Sequence, residues 1–440
     1  MPKKVRDAIF LIFIVLFLLI TVFVSLYASG YKFNLSWPFK FNRLLAKTGA
    51  LNAASLPAGA TIYLNDEAFK GGFLHIFKKN YLLTPTKIKN LLPGEYDLRL
   101  ELDGYWSWQK RITIYSGQTT FWENISLFKN EEPLLIATTT VAALSLSPSR
   151  QYLYLPDSGE VLNLKNGPTR ILPTKENGRW LKTGDKLFAG GWLLSPENAA
   201  NDFNYNKIIG DGAQAFYYDE NSACLYYQYA DSLNRLEADG KSVSVLLKGE
   251  KYLTYEARGE HLFLVTTNNG KTQLEDYSLK TKNVSGRLPL PAAGSYRLVS
   301  DNWPRLSLYD EQNRTLYLID PANLSRTTVI NNVKNWQWRD DSSLFYANDW
   351  EIFLYDLKTG QAALVTRFGE ALSGLFWNEN KNYLIFLTAT GVNVIDNNTG
   401  VITTLLKTEK ITAAAFDEKN DILYLAGQIG MEVGIYKLQL

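Results

Sequence analysis

Two adjacent carboxylates, Asp340 and Asp341, and a run of rings at Tyr105, Trp106 and Trp108 bear most directly on chemistry in this 440-residue chain. A pair of carboxyls roughly 5–9 Å apart can cleave a glycosidic bond, and planar aromatics stack on sugars. Each feature also has a plainer reading. Asp340-Asp341 stands just ahead of the strand-like "SSLFYA", where solvated turn residues are the stronger expectation. Alternation puts Trp106 and Trp108 on one face of a strand and Tyr105 on the other; rings so placed commonly fill cores, so a glycan platform at Trp106 and Trp108 is the lesser reading. Cys224 is the sole cysteine, which rules out an intrachain disulfide, and its setting in "ACLYYQYA" fits a small buried thiol. With only His75 and His261, no Cys/His zinc site can be assembled, and neither histidine lies in a nucleophile motif.

Phosphate loops, dinucleotide fingerprints, HExxH, EF-hand loops and GxSxG do not occur. "GDGAQ" (210–214) and "LFAGGWLL" (187–194) contain glycine at the wrong spacing and read as turns. The expectation is a protein without catalytic residues, metal or cofactor. Its charge excludes another class. The overall +2 comes from Lys3, Lys4 and Arg6 against Asp7, leaving 43 basic and 43 acidic residues beyond them. A nucleic-acid partner would call for a basic excess to replace phosphate counterions, and none is expected. The 26 Tyr, 22 Phe and 11 Trp favour pleated sheets, on which bulky rings pack well.

What must position any site begins with a membrane segment. Ala8 to Tyr27 carries no charge, and twenty helical residues span roughly 30 Å, the depth of a bilayer's hydrocarbon core. A cleavable signal peptide has a shorter apolar run and a better small-x-small ending than Ala28-Ser29-Gly30, so a retained single-pass anchor over 8–28 is expected. Basic residues lie on both sides of it. A seven-residue tail (1–7) usually stays inside and long C-terminal domains translocate regardless of charge, which puts the bulk of the chain outside the cytoplasm. Residues 29–48 read as a juxtamembrane stalk, with Trp37 and nearby Phe residues either in the headgroup layer or packed on the next domain.

From 49 to 128 the pattern is of short alternating strands. In 95–105, Tyr96, Leu98, Leu100 and Leu102 alternate with Asp97, Arg99, Glu101 and Asp103, one face dry and one wet. The order Pro57-x-Gly59-Ala60, Thr84-Pro85, Pro93-Gly94-x-Tyr96, Gly104-Tyr105 resembles the PEGA domain, a small β-sandwich found mostly on bacterial and archaeal surface proteins. The resemblance implies an adhesive or scaffolding module without chemistry, its landmarks being structural. One departure is "FLHIFKKNYLL" (73–83), where the family has a short link, leaving that edge of the sandwich open.

From about 133 to 440 the chain repeats. Trp338, Trp377 and Phe416 are 39 residues apart, and Asp356 and Asp396, each opening a turn to Gly360 or Gly400, are 40 apart. A period near 40 built of short strands marks a propeller blade. Seven units are visible (141–172, 215–247, 252–281, 296–330, 335–366, 373–406 and 413–440), while 178–212 reads as a long inter-strand loop. Openings such as Ser147-Pro148 before Tyr152-Leu153 are similar to WD40-like or TolB-type repeats, without the Gly-His and Trp-Asp pairs of true WD40 blades. The last unit has three strands, so "PLLIATT" (133–139) is expected to complete it against 431–440 and latch the ring.

The sequence thus predicts an all-β protein: an N-terminal transmembrane helix, a PEGA-like sandwich and a propeller of about seven blades. The function expected is an extracytoplasmic binding or scaffold role in the cell envelope, toward a protein or polysaccharide partner. The competing reading is an envelope enzyme acting on glycans in the propeller channel. An enzyme requires ionisable groups converging at the channel or one mouth; a scaffold predicts a neutral lining.

Overall fold

In the computed structural model, the structure describes residues 3–33, 45–69, 81–182, 184–249, 251–299 and 304–440. The chain separates into two compact units. The first takes in Met1–Glu131, Asn380–Leu384 and Asn393–Leu405; the second takes in Glu132–Glu379, Ile385–Val392 and Leu406–Leu440.

The first unit begins with helix α1 (Lys3–Ala28), whose apolar side chains from Val5 onward are exposed along its length. Its 24-residue apolar portion, Val5–Ala28, is about 36 Å long, enough to cross a bilayer. The Thr21 hydroxyl donates to the Phe17 carbonyl at 2.8 Å, the internal satisfaction that a hydroxyl in hydrocarbon requires. The helix stops at Gly30, whose φ of +83° only glycine adopts at little cost. Next come β1 (Tyr31–Phe33) and β2 (Leu45–Lys47), paired antiparallel. The Gly30 carbonyl accepts from the Thr48 N–H and hydroxyl, and Asn90 donates to the Tyr27 phenol at 3.2 Å. The stretch read as a stalk is therefore, where described, a paired ladder bonded back to the helix end. Near that end its backbone groups find partners that an extended stalk would leave to water. Trp37, within 34–44, lies outside the described residues.

Among the described residues seven strands make the sandwich: β3 (Gly49–Leu56), β4 (Thr61–Leu64), β5 (Glu67–Ala68), β6 (Thr86–Leu91), β7 (Gly94–Glu101), β8 (Trp108–Ile114) and β9 (Thr119–Ser126). One sheet runs β6-β3-β9, with β3 and β9 parallel, and the other β5-β4-β7-β8. Alternation along each strand delivers Leu51, Ile62, Ile88, Leu98, Leu100 and Ile125 to a shared core. Most of the 73–83 insertion, His75 included, lies outside the described residues. Its last residues return to the sheet edge, where Leu82 bonds Phe69 and Ile62 through the backbone.

Among the described residues eight four-stranded sheets follow, covering 145–171, 179–204, 213–248, 251–290, 296–330, 335–367, 372–407 and 410–439. First strands of neighbouring sheets pack together, and Ser145–Leu146 lies against Lys410–Asp417, which closes the ring of the propeller. The additional sheet is 178–212, which is not a loop. Its strands are Arg179–Trp180, Leu187–Ala189, Trp192–Leu194 and Phe203–Asn204, with Gly190 and Gly191 turning the central hairpin. Strands of two or three residues leave no room for alternation, and Leu187–Ala189 is buried on both faces.

The repeat is kept by recurring devices. After the first strand, Asp219 and Asp417 accept backbone N–H groups of the turn, from Asn221 and Asn420, and four residues on Ala223 and Asp421 take positive φ. Asp356 and Asp396 do the same for later turns, ahead of Gly360 (φ +68°) and Gly400 (φ +70°). The large ring at the end of the first strand wedges against the sheet before it: Trp377 lies 5.0 Å from Phe345.

Strand β10 (Leu134–Ala137) pairs antiparallel with Glu432–Gln439 and completes the last sheet, as the closure argument requires. Behind this seam Leu153, Leu155 and Leu162 of the first sheet share a core with Ile422, Ala426 and Ile435 of the last. The latch has a bulge between Leu135 and Ala137, and Gly434 faces it so closely that a Cβ would lie 2.4 Å from both the Ala137 carbonyl oxygen and Leu135 Cδ1. Gly434→Ala is expected to lower unfolding stability by about 1–3 kcal/mol, read from a urea midpoint. Gly369→Ala, where a Cβ meets nothing within 4 Å, is expected to leave that midpoint in place.

Candidate functional site

The first strands of neighbouring sheets bring residues far apart in sequence to one mouth of the channel. Leu146, Trp180, Tyr218 and Ala257 occupy equivalent strand-end positions, each paired to the second strand of its sheet at Leu153, Leu187, Leu225 and Leu262. Residues just before and after these positions (Arg179, Tyr217 and Glu256; Lys182, Glu220 and Gly259) line a cavity of about 580 Å³ with Arg150 at its side. A second cavity of about 380 Å³ shares Leu146 and Arg150 and is walled by Phe376, Trp377 and Phe416. The Trp180 indole N–H is spent on the Ser145 carbonyl at 3.0 Å, fixing that ring.

Ionisable groups do converge here, and their bonding is uneven. Asp219 accepts from the Asn221 N–H with one oxygen and from the Ser222 hydroxyl at 2.5 Å with the other. Glu256 pairs with Arg258 Nε at 2.7 Å, and Glu220 accepts the Lys182 N–H at 2.6 Å. Asp417, 1% exposed, faces Arg150 Nε at 3.3 Å and takes Asn420 on both oxygens. The carboxylates thus serve turns and ion pairs. On the cationic side, Arg179 lies 5.0 Å over the Tyr217 ring and donates to the Tyr218 carbonyl. Burial, then the Glu256 charge, pushes the Tyr217 phenol up to about 12, so it stays a donor, toward the Ala257 carbonyl.

Outside the mouth, Asp340 behaves as a turn residue. Burial opposes its charge, but hydrogen bonds from the Ser343 hydroxyl and the Ser342 N–H and hydroxyl outweigh it and hold the carboxyl below its ordinary range. Asp276 stands between His261 Nδ1 (2.7 Å) and the Ser285 hydroxyl (2.5 Å), so the carboxylate separates the imidazole from the hydroxyl it would have to activate. Cys224 is buried. No group of metal-ligating side chains occurs among the described residues.

The sandwich landmarks form a structural hub. Thr84, 3% exposed, bonds the Ser55 hydroxyl at 2.6 Å, the Ala60 N–H at 3.0 Å and, through its backbone, Gly59 and Ala60. Pro57 and Pro85 flank this hub; Gly59, Gly94 and Gly104 take positive φ, and Tyr96 donates to the Leu92 carbonyl. Tyr105 bridges to Lys129. Trp108 is buried, 6.1 Å from Trp122 and with its N–H toward Thr399 in the same unit, while Trp106 is half-buried. A stacking platform needs an exposed ring face, and Trp108 has none; its alternation with Ile112 and Ile114 sends it to the core.

The mouth residues carry no local motif and were not legible one by one. Aligning the repeats on Leu146, Trp180, Tyr218 and Ala257 would have gathered them, since they stand from one before to four after these positions.

Residues 48–130 match the PEGA domain. No curated protein matches the chain. Among solved structures the chain is similar to the Dos1 propeller at 12% identity, covering 71% of this chain and 95% of that one with a TM-score of 0.47. It is also similar to Kluyveromyces lactis Hsv2 at 15% identity, covering 49% and 71% with a TM-score of 0.34.

Two outcomes follow. Thr84→Val removes the hydroxyl that two buried groups share and is expected to cost about 1–3 kcal/mol in unfolding stability. Asp340 has a folded-state pKa below its unfolded value, so its stabilisation is present above the unfolded pKa and is lost as pH falls through the folded one. Urea midpoints measured from pH 5 down to pH 2.5 should therefore fall less steeply in Asp340→Asn than in the parent.

Proposed function

We propose that this chain is a membrane-anchored binding protein of the cell envelope. Its helix over 8–28 holds it in the bilayer with the short N-terminal tail inside, and its sandwich and propeller meet protein or glycan partners outside. The observation that carries this reading is the channel mouth: a sizeable cavity in which Asp219 is committed to its turn, Glu256 to an ion pair and Glu220 to the Lys182 N–H. Residues 48–130 support it through their match to a domain of surface proteins.

The competing reading, an envelope glycan-cleaving enzyme, is favoured by the convergence of ionisable groups at that mouth. General acid–base work needs one carboxyl free to hold a proton and another free to attack or activate water. Asp219 has both oxygens engaged, and Glu256 is bound to a guanidinium. Binding requires no such freedom. It needs a shaped cavity and a few groups that fix orientation.

External protease on intact cells tests the placement. A tag after Leu440 is expected to be destroyed while a tag ahead of Lys3 survives, and the chain is expected to stay with membranes through an alkaline wash. Survival of the C-terminal tag, or release of the chain without detergent, would overturn it.

A further inference from the structure

We infer that the channel mouth is a binding site for a small anionic ligand, a carboxylate or phosphate borne on a body with some apolar surface. This rests on the binding reading above and gives it a ligand class. The argument is an imbalance between donors and acceptors. On the acceptor side, Asp219, Asp417 and Glu256 spend oxygens within the protein, and Glu220 holds the Lys182 N–H.

The donor side is open. Among the described residues no hydrogen bond or ion pair uses Lys182 Nζ; Arg150 spends Nη1 on the Ser147 and Pro148 carbonyls, its Nε lies within ion-pair range of Asp417 without a hydrogen bond, and Nη2 makes no bond. Arg179 carries five N–H donors. One nitrogen serves the Tyr218 carbonyl and the guanidinium also bonds Tyr217, so only part of the fork is used by a residue that lines the cavity. Cationic donors that carry no internal bond, beside carboxylates already tied to internal donors, reward an acceptor-rich, negatively charged guest, because charge-assisted hydrogen bonds are about twice as strong as neutral ones. The second cavity, joined through Leu146 and Arg150, presents Phe376, Trp377 and Phe416 to the guest's less polar part.

Geometry also explains why the guanidiniums stay aimed. Arg179 is held against Tyr217, and Arg150 is braced by two carbonyls and a buried carboxylate, so little rotamer freedom remains to be lost on binding. Lys182 is exposed and uncommitted, the one of the three whose removal disturbs no internal contact.

The test uses the full chain in detergent and a low-anion buffer, titrated with glycerol 3-phosphate, glucuronate and neutral methyl glucoside. Calorimetry reads affinity, and tryptophan fluorescence reads Trp180 and Trp377. Saturable binding of either anion is expected, the stronger of the two identifying phosphate or carboxylate, with methyl glucoside at least about tenfold weaker. Lys182→Gln is expected to weaken binding about threefold with an unchanged thermal midpoint, and Lys182→Gln with Arg179→Gln at least about tenfold. No binding of either anion, equal binding of the neutral sugar, or undiminished affinity in both variants would overturn the assignment. Because the measurement is made in solution, its failure leaves the membrane placement standing, and an inverted membrane placement leaves this result standing.

Discussion

The pairing of Leu134–Ala137 with Glu432–Gln439 is the constraint on which the second unit depends. It joins segments about 300 residues apart, and closing a loop of that length costs on the order of 5 kcal/mol in chain entropy. Four residues of ladder with a bulge in the middle cannot offset that alone. The offset comes from the seam behind it, where Leu153, Leu155, Ile422 and Ile435 are removed from water together. Closure also removes the two open sheet edges that an unclosed ring of strands would present. Gly434 lets the bulged strand approach, so the absence of a single side chain sits at the centre of the closure.

The candidate site is a consequence of the same closure. Arg150 belongs to the first sheet and Asp417 to the last, and their contact crosses the seam. A buried carboxylate is expensive unless paired, and at 1% exposure Asp417 has its pairing supplied by Asn420 and by a guanidinium that also borders both cavities. The seam and the lining of both cavities therefore share one residue. That sharing is why Arg150 is held in place at the mouth.

Much of the fold was legible because the repeat is written in residues with a physical reason to recur. Trp338, Trp377 and Phe416 mark strand ends that wedge between sheets, and Asp356 and Asp396 mark turns that an aspartate can hold by accepting N–H groups. The sandwich landmarks were legible for the same reason, since Thr84 and its neighbours satisfy one another in a dry interior. The sheet at 179–204 was hidden because its strands are too short to alternate and its buried faces read as plain apolar runs. Trp108 went to the core, as the stronger reading of its ring had it, because the register of its strand alternates it with Ile112 and Ile114.

The site itself was the least legible part, and the cause is topological. A propeller builds its mouth from a few residues per sheet, so the cavity's lining is spread over Arg150, Arg179, Tyr217 and Glu256, more than a hundred residues of chain, with none of these four adjacent in sequence. A local motif exists where one turn or helix must present several groups at once, as in a phosphate loop. Here the ring does the gathering, and each strand end is free to vary alone. The chemistry of such a mouth is therefore set by which strand-end residues the turns leave unspent. In this chain the turns and ion pairs tie down Asp219 and Glu256 and leave Lys182 Nζ and Arg150 Nη2 without an internal bond, and those donors are what the mouth holds open.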